Sequence, residues 1–310
     1  MKEKFQQFTL FSNNNALYYI GILLCCLVIL LVNKNINHYK QIQSIENYYN
    51  PNIIIKKTSH GLFIPLIPND LVSTSIRNDS FWEGHVTNFI TKHVKPGDKV
   101  IECGAHIGYY TTLLGKIVGK NGHIYSYEAN DDVFWFADTA IKINDMTDII
   151  TLKNLCVSNN NGYTNFNCCD KTTNYNELSN IGKSCLSFHN DNTLDHNFHI
   201  KSVKTVKLDD DISNDLYDKI NWLRMDIEGA EILALEGAKN ILKSSKDIKI
   251  IMEFSPEMLN RYGKVESLIR FLFDEGFSAY LILENGETSQ KLSFDDLMKI
   301  DLSDIYLSRD

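Results

Sequence analysis

Lys99-Val100-Ile101-Glu102-Cys103-Gly104-Ala105-His106-Ile107-Gly108 decides the fold of this 310-residue chain. The turn Pro96-Gly97-Asp98 precedes a short apolar run, Lys99 to Cys103, which reads as a buried strand. Tyr109 to Val118 follows as a helix, closed by Gly119 and Asn121-Gly122. Between them lies the spacing acid-x-Gly-x-x-x-Gly. Gly104 lets the chain turn sharply and approach a ligand. Gly108 opens the helix, whose first backbone N–H groups have no partner inside it.

Outward from this stretch, strands and helices alternate. His123 to Tyr127 reads as a second strand, Asp131 to Ile143 as a helix, and Ile149 to Leu152 with Leu155 to Val157 as a third strand region. A polar stretch from Asn159 to Lys201 breaks the rhythm. Trp222 to Met225 restores it as a strand ending at Asp226, followed by a helix over Ala230 to Leu242. Ile248 to Met252 is a strand ending at Glu253, Val265 to Glu275 a helix closed by Gly276, and Ala279 to Leu283 and Ile305 to Leu307 are late strands. Such alternation predicts an α/β domain with a mostly parallel, doubly wound sheet. Ligands of such sheets sit beyond the carboxyl ends of the strands, which makes the strand-end residues the candidates for function.

The loop after the first strand does not fit a dinucleotide site. A pyrophosphate loop reads G-x-G-x-x-G, and here the position two after Gly104 is His106. Glu102 instead places an acid before the turn, which suits a cationic amino-acid ligand such as S-adenosylmethionine, with its ammonium and sulfonium. The second strand ends in Tyr127-Glu128-Ala129-Asn130, where Glu128 is positioned to accept hydrogen bonds from two ribose hydroxyls. Read blandly, the same residues are a glycine turn with two surface acids; together, on neighbouring strand ends, they point to a nucleoside cofactor.

Three blocks resemble the FkbM family of methyltransferases. Val100 to Thr111 is similar to the family's cofactor loop, Tyr127-Glu128-Ala129-Asn130 to its ribose-binding strand end, and Leu223-Arg224-Met225-Asp226-Ile227-Glu228-Gly229-Ala230-Glu231 to its segment I-K-x-D-V-E-G-x-E. Val206-Lys207-Leu208-Asp209-Asp210 and Ile251-Met252-Glu253 are weaker echoes. The resemblance runs from about Ser80 to Leu283 and implies a Rossmann-like class I methyltransferase fold. It implies cofactor contacts at Glu102, Gly104, Ala105, Gly108, Thr111 and Glu128. The implied reaction is methyl transfer from S-adenosylmethionine to oxygen, usually on a sugar or another small hydroxylated compound. The sequence departs from the family in three places: Arg224 replaces the usual Lys, Cys156 stands where Ala is common, and no carboxylate ends the third strand. Asn154 and Ser158 are the nearest polar side chains for the adenine. Asp226 is the candidate catalytic residue, as base, hydroxyl orienter or metal ligand, with Glu228 and Glu253 on the substrate side. Three carboxylates near one pocket can raise a pKa or hold a hard cation; the reading adopted has no metal. Glu228 and Glu231 also suit a plain helix start, where acids meet the dipole. Trp82 and Glu83 are placed near the cofactor cleft, His106 in its loop, and Cys168-Cys169 outside the chemistry.

The formal net charge of −8 argues against nucleic acid as a partner. The 7 cysteines include no C-x-x-C pair, which gives a zinc site no support. Ahead of the domain, Ala16 to Val32 (ALYYIGILLCCLVILLV) is apolar and meets the lower limit of about 17 residues for a membrane span. No small-residue cleavage site follows it, so it reads as an uncleaved single-pass anchor. The organisation expected is a tail over 1–15, an anchor over 16–32, a polar linker over 33–58 and a methyltransferase domain over 59–310. Such an anchor puts the acceptor near a membrane, as a glycan or lipid, and the cofactor's cytosolic origin favours a cytosol-facing domain. Two other readings compete: a nicotinamide-dependent oxidoreductase on a related fold, and a non-catalytic, membrane-tethered binding protein.

Overall fold

The computed structural model of the chain describes residues 28, 32, 53–169, 185–186 and 198–309. The chain divides into two compact units, Met1–Asn52 and Ile53–Asp310. In the first, Val28 and Val32 are described, and both are helical and exposed. The anchor expected over 16–32 otherwise lies outside the described residues. Among the described residues, no helix is long and apolar enough to cross a membrane.

The second unit opens with β1 (Ile54–Lys57) and β2 (Phe63–Leu66), an antiparallel ribbon. β1 falls inside the stretch expected as linker: two isoleucines followed by two lysines are too short a run to show a strand period. Helices α1 (Leu71–Asp79) and α2 (Gly84–His93) follow. Then come β3 (Lys99–Cys103), α3 (Tyr109–Val118), β4 (His123–Tyr127), α4 (Asp131–Ile143) and β5 (Ile150–Lys153). A second sheet uses β6 (Cys156–Val157), β7 (Gly162–Cys169), β8 (Cys185–Leu186) and β9 (Phe198–Val206). The chain returns to the main sheet with β10 (Trp222–Met225), α5 (Glu231–Glu236), α6 (Lys239–Ser244), β11 (Lys249–Phe254), α7 (Val265–Asp274), β12 (Phe277–Leu281) and β13 (Ser303–Arg309).

The main sheet has the order β12-β13-β11-β10-β3-β4-β5. β5, β4, β3, β10 and β11 run parallel, and β13 lies antiparallel between β11 and β12. This is the Rossmann-like, mostly parallel sheet that the alternation predicted, and the order reverses at β3 and β10, where such sheets bind ligands. Alternate side chains of one strand point to opposite faces. Ile101, Leu223, Ile250 and Met252 accordingly enter one apolar core, while Val100, Trp222 and Ile251 enter a second core on the other face. Each such side chain, fully buried, contributes about 1.5–3 kcal/mol.

The polar stretch from Asn159 that breaks the rhythm holds strands of the second sheet, in which β7 and β9 pair over eight residues each. Apart from Phe166, Asn167, Cys168 and Thr205, the described positions of these two strands are exposed or half-buried, so they show no clear strand pattern. The helix expected over Ala230 to Leu242 is two helices, broken near Gly237. A Cβ on Gly237 would stand 2.2 Å from the Ser158 carbonyl oxygen, so the chain passes there without a side chain. Asp209 supports the restart of the helix, accepting from the backbone N–H of Asn240 (2.9 Å) and Ile241 (3.0 Å).

Candidate active site

The carboxyl ends of β3, β4, β10 and β11 open into one solvent-accessible cleft. Gly104, Ala105, Glu128, Asp226, Glu228 and Glu253 all line it, together with Trp82, Glu83 and His106. Gly104 has φ +91°, and a Cβ there would meet the Asp226 carbonyl oxygen at 2.2 Å. Only glycine allows the β3 loop to pass this close to the end of β10.

The loop is braced from β4. The amides of Gly104 and Ala105 both donate to the Tyr127 carbonyl, at 2.9 and 3.0 Å. Glu128 accepts the His106 N–H on Oε2 and the Asn130 N–H on Oε1, each at 2.8 Å. Burial raises the Glu128 pKa, and these backbone hydrogen bonds pull it back down. Each carboxylate oxygen keeps a further lone pair, so Glu128 can still accept two ligand hydroxyls.

Glu102, Thr111 and Gly108, also expected at the cofactor, do not line the cleft. Side chains alternate along β3, and Cys103 takes the side that lines the cleft. The Glu102 carboxylate is wholly buried and accepts from Thr111 Oγ1 and Ser126 Oγ, both at 2.6 Å, while its Oε1 has no partner. Burial pushes its pKa up, and the nearby Arg224 guanidinium opposes that shift. Gly108, at φ +84°, serves packing: a Cβ would lie 3.0 Å from the Ala137 Cα on α4. These three residues hold the loop from behind.

Arg224 is the residue that sequence reasoning underrated. It is buried, donating from Nη1 to the Gly104 carbonyl (3.0 Å) and from Nη2 to Asp226 Oδ2 (2.8 Å). Its guanidinium lies 4.4 Å from the Tyr110 ring centroid. Lysine cannot make this forked, stacked contact. The spacing Arg-x-Asp at a strand end puts both side chains on one face, and that signal was present in the sequence. Burial lowers the guanidinium pKa, but the groups around it, Asp226 and Glu102 first, more than reverse the effect.

Around Asp226 the cleft is acidic. Glu83, at the N-cap of α2, accepts from the Tyr110 hydroxyl at 2.9 Å, and burial with the nearby Asp226 raises its pKa to about 7. Glu253 is raised to about 9, first by burial and then by Asp226, Glu228, Glu231 and Asp304. Glu231 points away from the cleft residues to cap its own segment, accepting the Ile227 N–H at 2.8 Å. Burial raises it to about 7. At the opposite end the walls are apolar: Ala129, Leu155, Val157 and Phe166. Neither polar candidate for adenine, Asn154 or Ser158, lines the cleft. The Asn154 amide donates to the carbonyls of Glu128 (2.8 Å) and Ala129 (3.3 Å), and Ser158 is buried with its carbonyl against Gly237. Cys168 is buried in a small core with Phe166, away from the chemistry. Among the described residues, no group of three His, Cys, Asp or Glu side chains is arranged to hold a metal ion.

The profile of the methyltransferase FkbM domain matches residues 102–279, more than half of the chain. The chain belongs to the FkbM methyltransferase family. This FkbM enzyme is thus an S-adenosylmethionine-dependent methyltransferase, and hydride chemistry and a purely binding role are set aside. Its cleft fits the cofactor. Glu128 offers hydroxyl acceptors, the apolar wall offers a slot for a base, and the acids offer negative charge to a sulfonium. Solved structures similar to it include an O-methyltransferase from Thermotoga maritima, at 14% identity over 83% of this chain and 77% of that one, with a TM-score of 0.38. The O-methyltransferase from Bacillus cereus, in complex with S-adenosylhomocysteine, is 13% identical over 73% of this chain and 80% of its own, with a TM-score of 0.39. Precorrin-6y C5,15-methyltransferase from Geobacter metallireducens is 11% identical over 73% and 86%, also at 0.38. Likenesses this distant carry no argument about acceptor or mechanism. No curated protein matches the chain.

Proposed function

We propose that this FkbM methyltransferase methylates a hydroxyl oxygen of a sugar or another small, uncharged, hydroxylated acceptor held near a membrane. The observation that carries this reading is the charge of the cleft. Glu83, Asp226, Glu228 and Glu253 line one end, and the cation among them, Arg224, is already bonded to Asp226 and to Gly104. An acceptor bearing phosphate or carboxylate finds no uncommitted guanidinium or ammonium among the described lining residues, whereas hydroxyls find acceptors.

When bound, S-adenosylmethionine supplies an electrophilic methyl group. The chain's own residues do the rest. Glu128 takes the ribose hydroxyls, and Gly104 and Ala105 form the floor under the ligand. Asp226, fixed on one oxygen by Arg224, uses its other oxygen to orient the acceptor hydroxyl.

Calorimetry on the full chain in detergent should show S-adenosylhomocysteine binding, weakened more by Glu128→Ala than by Asp226→Ala. Asp226→Asn should bind normally and turn over more slowly. Absence of binding at millimolar concentration would sink the reading. A screen with labelled methyl donor against fractionated glycan and lipid extracts identifies the acceptor. The membrane component of the proposal rests on the apolar run from Ala16 to Val32, with the catalytic domain facing the cytosol. Protease protection of intact membranes tests it: a domain cleaved from the cytosolic side fits, and a protected one does not.

A further inference from the structure

The proton leaving the acceptor hydroxyl needs a destination, and most carboxylates of the cleft are already committed. Asp226 is bonded to Arg224, Glu83 to the Tyr110 hydroxyl, and Glu128 to two backbone amides. Glu228 has interactions of its own. Glu253 lines the cleft, and its carboxyl makes no side-chain hydrogen bond to any described residue.

Its place in the sheet adds to this. Met225 of β10 pairs with Met252 of β11, so the next residues, Asp226 and Glu253, leave neighbouring parallel strand ends side by side. On the other flank, Glu253 pairs with Asp304 of β13. Asp304 is itself engaged by His85 Nε2 at 2.8 Å. Glu253 is therefore the uncommitted acid in a row of three, adjacent to the residue that orients the acceptor.

We propose that Glu253 is the group that removes the acceptor's proton, while Asp226 positions the hydroxyl; this assignment rests on the methyl-transfer reading above. As the acceptor oxygen gains the methyl group, its proton passes to a Glu253 oxygen. The methyl–sulfur bond breaks with its electron pair kept by sulfur, so the sulfonium charge and the carboxylate charge disappear together.

Glu253 starts protonated at neutral pH, consistent with its elevated pKa of about 9. The charged groups acting on it are Asp226 just after β10, Glu228 and Glu231 from the following segment and Asp304 from β13, and Arg224 of β10 and Glu83 at the start of α2 line the same cleft. Acids outnumber the single guanidinium, so positive charge entering the cleft is what ionises Glu253 and makes it a base.

Sinefungin tests this without a known acceptor, because it carries an amine where the cofactor carries its methyl sulfonium. Calorimetry at pH 7.5 in two buffers of different ionisation heat counts the protons exchanged when the full chain binds sinefungin or S-adenosylhomocysteine. The wild type should release about one more proton with sinefungin than with S-adenosylhomocysteine. Glu253→Gln should abolish that difference while still binding S-adenosylhomocysteine, and Glu83→Gln should preserve it. Proton release that persists in Glu253→Gln, or disappears in Glu83→Gln instead, overturns the assignment. A wild type that binds both ligands with no difference in protons also overturns it and leaves the methyltransferase reading standing. Failure of the wild type to bind either ligand removes both. If Glu253→Gln does not fold, Glu253→Asp replaces it and should release its proton with a lower apparent pKa.

Discussion

At the scale of the residue, Gly104 and Arg224 fix the site. A methyl group on Gly104 would overlap the Asp226 carbonyl, on a backbone that already has positive φ. Gly104→Ala should therefore lose about 3–5 kcal/mol in urea denaturation, and a loss below about 1 kcal/mol would mean the loop relaxes freely. Arg224 is the buried cation between Asp226 and Glu102. Arg224→Met leaves those acids uncompensated and should lose about 3–5 kcal/mol. Most of that loss should return at low pH, where the acids protonate. Stability of Arg224→Met that does not depend on pH would contradict this account.

At the scale of the element, the β7–β9 hairpin forms one wall of the cleft through Phe166. Two devices attach it. Phe166 packs with Cys156, Cys168 and Ala230, and Lys201 bridges Asp131 (2.6 Å) and Asp132 (2.8 Å) at the start of α4. The apolar contact dominates, because the ion pairs face solvent. Lys201→Ala should lose less than about 1 kcal/mol, and Phe166→Ala about 3–5 kcal/mol. Urea titration of both variants gives the ranking, and the reverse order would make the hairpin an electrostatic attachment. Phe166→Ala should also weaken S-adenosylhomocysteine binding, since the wall of the base slot is lost. The hairpin shows why this element was hard to read in advance. Few of its described residues are buried, and apolar side chains such as Tyr163 and Ile200 are exposed while Asn167 is buried, so no local pattern marks the strands.

At the scale of the whole molecule, the buried acids in and behind the cleft set the pH dependence of stability. Glu83 and Glu231 stand at about 7 and Glu253 at about 9, against an ordinary value of 4.5. A carboxyl raised in the folded state binds its proton more tightly there than in the unfolded chain. Its contribution is complete below the unfolded pKa and disappears as pH rises through the folded one. His85, raised by its bond to Asp304, has the same sign. Thermal stability should therefore fall from about pH 5 upward, and between pH 7 and pH 9 most of the fall belongs to Glu253. Glu253→Gln should flatten the upper part of that fall, since it removes the group that titrates last. A melting temperature that climbs over this range would contradict the burial of these acids.

The sequence by itself determined the alternation, the cofactor loop and the strand-end acids, because each depends on local spacing: a two-residue period in strands, a glycine where φ turns positive, an acid where a strand stops. It placed Gly104, Ala105, Glu128, Asp226, Glu228 and Glu253 at one cleft without any tertiary contact. Only the tertiary structure decided which acids face that cleft and which are occupied. Glu102 and Glu253 look alike along the chain, yet one is enclosed with Thr111 and Ser126 while the other is left uncommitted beside Asp226. Side-chain partners come from strands far apart in sequence, and desolvation depends on everything packed around a group, so neither is written in a local pattern.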